Sequence, residues 1–359
     1  VEGGTETETA QRATVEMTIL ACVEGGGTTF VVALAKDYPT NVIERDEFPT
    51  TTPAETIGKC IAWLQQRKYD ALGVATFGPV ELHPEAKHFG CITTTPKPGW
   101  QYADVLGPLR AVNPDVPVIM DTDVNAPAVA EHAHLSAKAI EKGLAPPSSC
   151  CYITVGTGIG VGLVINGLAV RGLMHPEGGH LAVPLHPDDA KSGFMGNNPR
   201  DCFGGVCAEN MACSAALAKR ANLASTSELA KLPDDHPVWD VAAHYLAALC
   251  ANIVLLASPE KIVLSGGVML RACLFAKVRR EMQKQLNGYI QMDAITSEEG
   301  VSEFVAPSTW GNRAGMVGAL TLAQRAYEER RSEGAAKRSA IVVIAVAATG
   351  FMLLRKLRN

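Results

Sequence analysis

The chain is short of charge. Asp, Glu, Lys and Arg make up 19% of its 359 residues, and aromatic residues 6%. It has no basic excess: the net charge is −5, which leaves no electrostatic footprint for nucleic acid. It also lacks a disulfide framework. Ten cysteines are scattered along it, with Cys150 and Cys151 adjacent, and the chain is far longer than the stapled secreted scaffolds. They read as reduced core thiols. Disorder is excluded by 47% hydrophobic residues, and the length allows two domains with a large core.

Glycine is abundant and concentrated where it matters. Tyr152–Gly162 is a β-branched run opening into Gly156, Gly158, Gly160 and Gly162, with hydroxyls from Thr154 and Thr157. Without Cβ atoms in the way, such a backbone can approach a ligand, and its amides form an anion-binding concavity. A second strand-entered loop, Glu24-Gly25-Gly26-Gly27-Thr28-Thr29, lies near the start, and Asp121-Thr122-Asp123-Val124-Asn125 falls between the two. This arrangement suggests two lobes closing on a nucleotide triphosphate. Gly26, Gly27 and Thr28, with Thr154, Gly156, Thr157 and Gly158, are the candidate phosphate contacts.

Strand and helix patterns alternate, which favours α/β layers. Strand–loop–strand is expected over Thr18–Ala35, a helix over Thr56–Gln66, and strands at Ala71–Ala75 and Val116–Met120. A helix follows over Ala126–Leu144, then a hairpin arm around Asn166-Gly167. Alanine-rich helices are expected at Ala208–Ala221 and Val238–Ala257, with a strand at Lys261–Leu264 opening into Ser265-Gly266-Gly267. The domain reading is a loose segment 1–17, an N-terminal lobe 18–125, a C-terminal lobe 126–327 whose terminal helix packs back on the first lobe, and a charged linker 328–338. Residues 339–359 form the tail. Its Ser339–Leu354 stretch holds no charge and is flanked by Lys337, Arg338, Arg355, Lys356 and Arg358. As a helix it spans about 24 Å, against a hydrocarbon core of about 30 Å. It is expected to be a short hydrophobic anchor in an intracellular membrane, with a cytoplasmic catalytic body. Its length and flanks suggest the mitochondrial outer membrane; a docking helix is the alternative.

From about Leu20 to Ala326 these pieces together resemble the ROK family of sugar kinases, in its bacterial-type fructokinase branch. Glu24–Phe30 is similar to the family's first phosphate loop, and Gly73–Pro79 to its sugar-side loop. Gly90–Trp100, with Pro96-Lys97-Pro98-Gly99-Trp100, resembles a segment of the fructokinase branch. Asp121–Ala126 matches the segment bearing the catalytic aspartate, and Glu177-Gly178-Gly179-His180 the sugar signature. Ser265–Val268 and Gly311–Gly315 resemble nucleotide-side glycine turns. The resemblance implies an α/β, two-lobed, actin-like (ribonuclease H-like) ATPase fold followed by the C-terminal hydrophobic helix.

It further implies ATP-dependent phosphorylation of fructose at its 6-hydroxyl. Asp123 is the expected general base; Gly266 and Gly267 join the nucleotide contacts; Gly78, Pro79, Asn125, Glu177 and His180 take the sugar. Mg²⁺ is expected to bridge the phosphates, with Glu24 either acting on it through water or serving as a turn carboxylate. The family's loop usually has lysine where this chain has Thr29. The structural zinc loop of such fructokinases is eroded: of its ligands only His180 and Cys202 survive, and others would have to come from Cys207 or Cys213. A metal-free loop is therefore expected. Kinship suggests a homodimer. The alternatives are a kinase for glucose, mannose or an amino sugar, and a catalytically weak sugar-binding homologue held at a membrane. A repressor is disfavoured by the short stretch before the first strand.

Overall fold

A computed structural model of the chain describes residues 17–198 and 205–334. The N-terminal segment, Cys202, the end of the linker and the apolar tail lie outside the described residues.

Two five-stranded mixed sheets carry the architecture. The first contains β1 (Ile19–Gly25), β2 (Thr29–Lys36), β3 (Val42–Pro49), β4 (Ala71–Thr76) and β5 (Val118–Thr122), in the order β3-β2-β1-β4-β5. The second contains β6 (Ser149–Val155), β7 (Ile159–Ile165), β8 (Leu168–Ala169), β9 (Ile262–Ser265) and β10 (Val305–Pro307), in the order β10-β9-β6-β7-β8. The plan is the same in both. An antiparallel hairpin (β1–β2, β6–β7) adds a third antiparallel strand on one side and two parallel strands on the other. The central strands are buried apolar runs, as a sheet covered on both faces requires. β3 is the exposed edge, and its run Glu44-Arg45-Asp46-Glu47 blunts that edge against further pairing. The same charges hide β3 in the sequence, where no apolar alternation marks it.

Register places the site. Gly25 pairs with Thr76, and Thr76 with Thr122, so the carboxyl ends of β1, β4 and β5 finish at one level. In the second sheet Thr154 pairs with Ser265 in the same way. Ligand clefts of open α/β sheets lie beyond such strand ends.

Two helices share a core with both sheets: Asn125–Glu141, and a helix from 314 to the end of the described residues at 334. Leu20, Cys22, Ala71 and Ala75 of the first sheet join Cys150, Tyr152 and Val263 of the second around Ala126, Val129, Ala319, Leu320 and Ala323. Contact there is close enough to demand glycine. A Cβ on Gly73 would drive into the carbonyl oxygen of Ala319, and one on Gly162 into that of Val124. The outer face of the first sheet packs on Pro53–Gln65, a helix started by Thr52, whose Oγ1 accepts from Glu55 N at 3.3 Å, and by Pro53 at its first turn.

Val238–Ala257 covers the second sheet. Among the described residues it is the one helix long and apolar enough to cross a membrane, yet 67% of its most apolar window is buried in the core. The apolar helix placed by the structure is thus internal, while the expected C-terminal one falls outside the described residues. A single helix over Ala208–Ala221 is also corrected. The chain breaks at Cys213, which is extended (φ −65°, ψ 162°), into Ala208–Ala212 and Ser214–Arg220. The break turns Ser214 N toward Gly156 O at 2.8 Å, tying the second piece to the β6–β7 hairpin.

Candidate active site

Both glycine loops are hairpin tips. In the first, Gly26 N donates to Thr29 O at 2.8 Å, and Thr50 braces the turn through Thr50 N to Thr28 O and Thr50 Oγ1 to Gly26 O, both 2.8 Å. Gly27 and Thr28 are exposed at the tip. In the second, Gly156 N donates to Gly158 O at 2.8 Å, and the Glu209 carboxylate accepts from Ile159 N at 2.8 Å. Beside it Gly266 turns the chain at φ +93°, where a Cβ would collide with the Val155 backbone. Gly156, Thr157, Ser214, Gly267 and Arg271 line a pocket of about 710 Å³, large enough for a nucleoside. The Arg271 guanidinium lies 4.6 Å over the Trp239 ring on its wall. Arg271 and Ser214 escape sequence reading because neither lies in a glycine motif; only the folded chain brings them to Gly156.

Asp123 follows β5 and lies between the two hairpins. Its N–H donates to Thr76 O at 2.9 Å, fixing it at the strand ends. On one side is Glu24, the residue before Gly25; on the other, Val124 packs onto Gly160 and Gly162 of β7. Burial pushes the half-buried Asp123 carboxyl up to about 6. Glu24 is raised to about 7 by burial and then by the Asp123 charge. Glu177 is raised to about 7 by burial, then by Glu209 and Asp123. Glu24 and Glu177, from separate segments, thus both lie near enough to Asp123 to feel its charge. Such an acidic pair as Glu24 and Asp123 fits a divalent cation arriving with a nucleotide.

Asp121 and Asn125 play supporting parts. Asp121 is 1% exposed and accepts from Thr122 N at 2.7 Å, Asn125 Nδ2 at 2.9 Å and Arg171 Nη2 at 2.5 Å. Asn125 is fully buried, with Oδ1 lacking a hydrogen-bond donor.

The sugar-side motifs are joined by residues that sequence reasoning missed. Val80 N donates to His175 Nε2 at 3.1 Å, so that nitrogen carries no proton and the neutral ring holds its proton on Nδ1. Burial favours this neutral form by pushing the His175 pKa down. His175 Nδ1 is 3.7 Å from Glu177, which ties the Gly78-Pro79 loop to the Glu177–His180 signature. His180 Nε2 is 3.7 Å from Glu209, and Glu209 holds the second hairpin. One chain of contacts thus runs from Gly78 through His175, Glu177 and His180 to Gly158. Of the candidate zinc ligands, Cys207 Sγ lies 3.6 Å from His180 Nδ1, and Cys202 lies outside the described residues. Among the described residues no cluster of three His, Cys, Asp or Glu has the arrangement of a metal site.

A family model described as the ROK family matches residues 20–326. A putative fructokinase of Bacillus subtilis is 36% identical, covering 88% of this chain and 99% of that protein. A fructokinase of Pediococcus pentosaceus is 34% identical, covering 86% and 99%. The crystal structure of a ROK hexokinase from Thermus thermophilus has a TM-score of 0.65 at 23% identity, covering 87% and 99%, and so shares the fold. Hairpin tips at matched strand ends, an aspartate between them and a match along nearly the whole described body make this chain a member of the ROK family, of its sugar-kinase kind.

Proposed function

We propose that the protein transfers the γ-phosphoryl group of ATP to the 6-hydroxyl of fructose, with Asp123 as general base. The observation that carries this reading is the position of Asp123: a half-buried carboxyl raised to about 6, between two glycine hairpins and beside Glu24 and Glu177. A base titrating near the working pH combines availability with driving force, typically contributing about 10²–10⁴ in rate. As the sugar oxygen bonds to the γ-phosphorus, the bond to the β–γ bridging oxygen breaks and ADP leaves. The hydroxyl proton passes to Asp123.

The rest is positioning and charge stabilisation. The amides of Gly27 and Gly158, with the hydroxyls of Thr28, Thr154 and Thr157, hold the phosphates, while Gly26 and Gly156 close the two turns with their own N–H groups. Gly266 and Gly267 bound the nucleoside pocket. Glu24 would hold a Mg²⁺ ion arriving with the nucleotide, which would supply charge neutralisation at the phosphates. Gly78, Pro79, Glu177 and His180 face the sugar, and the buried Oδ1 of Asn125, which has no donor within the chain, accepts one of its hydroxyls. Fructose is preferred because both fructokinase relatives align over nearly their whole length.

ADP release measured across fructose, glucose, mannose and N-acetylmannosamine tests the substrate. The expected result is a kcat/KM for fructose at least tenfold above the others. A tenfold preference for another hexose would replace fructose with that sugar. Asp123→Asn should abolish turnover and keep sugar binding; undiminished turnover would remove Asp123 as base.

A further inference from the structure

The first hairpin has no positive charge of its own. Gly25 to Thr29 are uncharged, Glu24 stands just before them, the Asp123 charge acts on both Glu24 and Glu177, and Glu209 acts on Glu177. A triphosphate is strongly anionic, so this acidic setting repels it unless a cation is fixed nearby. Arg171 is turned onto Asp121, and Arg45 is paired with Glu47 at 2.5 Å.

Among the described residues, the cation hydrogen-bonded to the hairpin is Lys97. Its Nζ donates to Gly27 O at 2.6 Å from a loop 70 residues further along the chain. An ammonium has three donors, and Lys97 spends one of them here. The loop that carries it is firmly seated. Trp100 is fully buried, donates through Nε1 to Thr51 O at 2.8 Å, and stacks on Phe30 with ring centroids 5.4 Å apart. Phe30 directly follows the hairpin. Phe77, next to Gly78, packs edge-on against Trp100 at 5.2 Å, and Thr93 Oγ1 donates to Pro79 O at 3.1 Å. The Lys97 loop therefore rests on both the phosphate hairpin and the sugar-side loop.

We infer that Lys97 is the phosphate-binding cation of the first hairpin, its ammonium held at Gly27 to meet the outer phosphates of the nucleotide. A compact point charge suits this task, since it needs no bidentate geometry. The inference deepens the kinase reading and rests on it.

The test uses the full chain and its variants Lys97→Met, Lys97→Arg and Lys97→Met with Thr29→Lys. Binding of Mg²⁺ with the non-hydrolysable analogue AMPPNP, and of adenosine, is measured by calorimetry; melting curves check folding. Lys97→Met is expected to raise the Kd for AMPPNP at least tenfold and leave that for adenosine within twofold. KM for ATP should rise while KM for the hexose stays within twofold. Lys97→Arg should stay within threefold of the parent. Thr29→Lys places an ammonium on the hairpin itself and should recover most of the lost affinity. Unchanged AMPPNP affinity in Lys97→Met, equal weakening of AMPPNP and adenosine, or a double variant no tighter than Lys97→Met would each overturn the assignment. If the parent phosphorylates no hexose yet binds AMPPNP in a Lys97-dependent way, the kinase reading fails alone. If it is active and indifferent to residue 97, this inference fails alone.

Discussion

Arg171 Nη2 donates to Asp121 Oδ2 at 2.5 Å and to Met120 O at 3.1 Å, tying the loop after β8 to the end of β5 two residues before Asp123. Asp121 is buried and held by three donors, so the two aspartates of this segment are not equivalent: Asp121 is a bracket, while Asp123 is only half-buried. Arg171→Met leaves the buried Asp121 without its charged partner. The arginine side chain is 40% exposed, so solvent screening limits the loss of stability to about 1–3 kcal/mol. Urea denaturation measures it. Turnover should fall at least tenfold with the sugar KM little changed, because Asp123 shifts while the sugar-side loops stay in place.

The pH dependence follows from Asp123. With its pKa raised to about 6, kcat/KM for the sugar should rise with pH through that value and level off above it. Stability runs the other way. Between the ordinary carboxyl range and the raised values of about 6 and 7 for Asp123 and Glu24, the folded state binds more protons than the unfolded one. Stability therefore falls as pH rises through that window. Asp123→Asn should be the more stable protein at pH 8, by about 1–3 kcal/mol, and lose that advantage near pH 4. Thermal melts at the two pH values check the sign; an Asn variant that melts lower at pH 8 would contradict it.

Gly315 sits against the Glu24 side chain, and a Cβ there would come within 2.7 Å of Glu24 Oε1. Gly315→Ala should push this carboxylate aside without unfolding the chain, since the tip of a flexible side chain can yield. The expected result is a three- to tenfold rise in the Mg²⁺ concentration needed for half-maximal rate, with a melting temperature close to that of the parent.

Away from the cleft, Asp189 is 3% exposed and holds Arg220 through two bonds of 3.1 and 2.6 Å and the Tyr245 hydroxyl at 2.5 Å. Asp189→Ala strands a mostly buried guanidinium and should cost about 3–5 kcal/mol. Tyr245→Phe removes one hydrogen bond to a charged group and should cost about 1.5–3 kcal/mol. Neither should alter AMPPNP affinity, because the network lies under the 187–198 segment rather than at the hairpins.

The parts of the site that are legible in sequence are those made by local chemistry. Gly26, Gly156 and Gly266 announce turns, and Asp123 follows an apolar strand whose end is readable from Val118 to Met120. His175, Arg171 and Lys97 are unreadable because each acts on a partner 50 or more residues away, Val80, Asp121 and Gly27 respectively. β3 hides behind its edge charges, and the Cys213 break behind alanines of high helix propensity that a tertiary bond from Ser214 overrides.

The backbone-to-backbone approaches of Gly73 to Ala319 and of Gly162 to Val124 admit no methyl group. Neighbouring apolar side chains at this seam can drift by compensating swaps, but these two glycines cannot be replaced by any such trade. Among distant relatives they should therefore outlast every hydrophobic position around them as markers of this domain pairing.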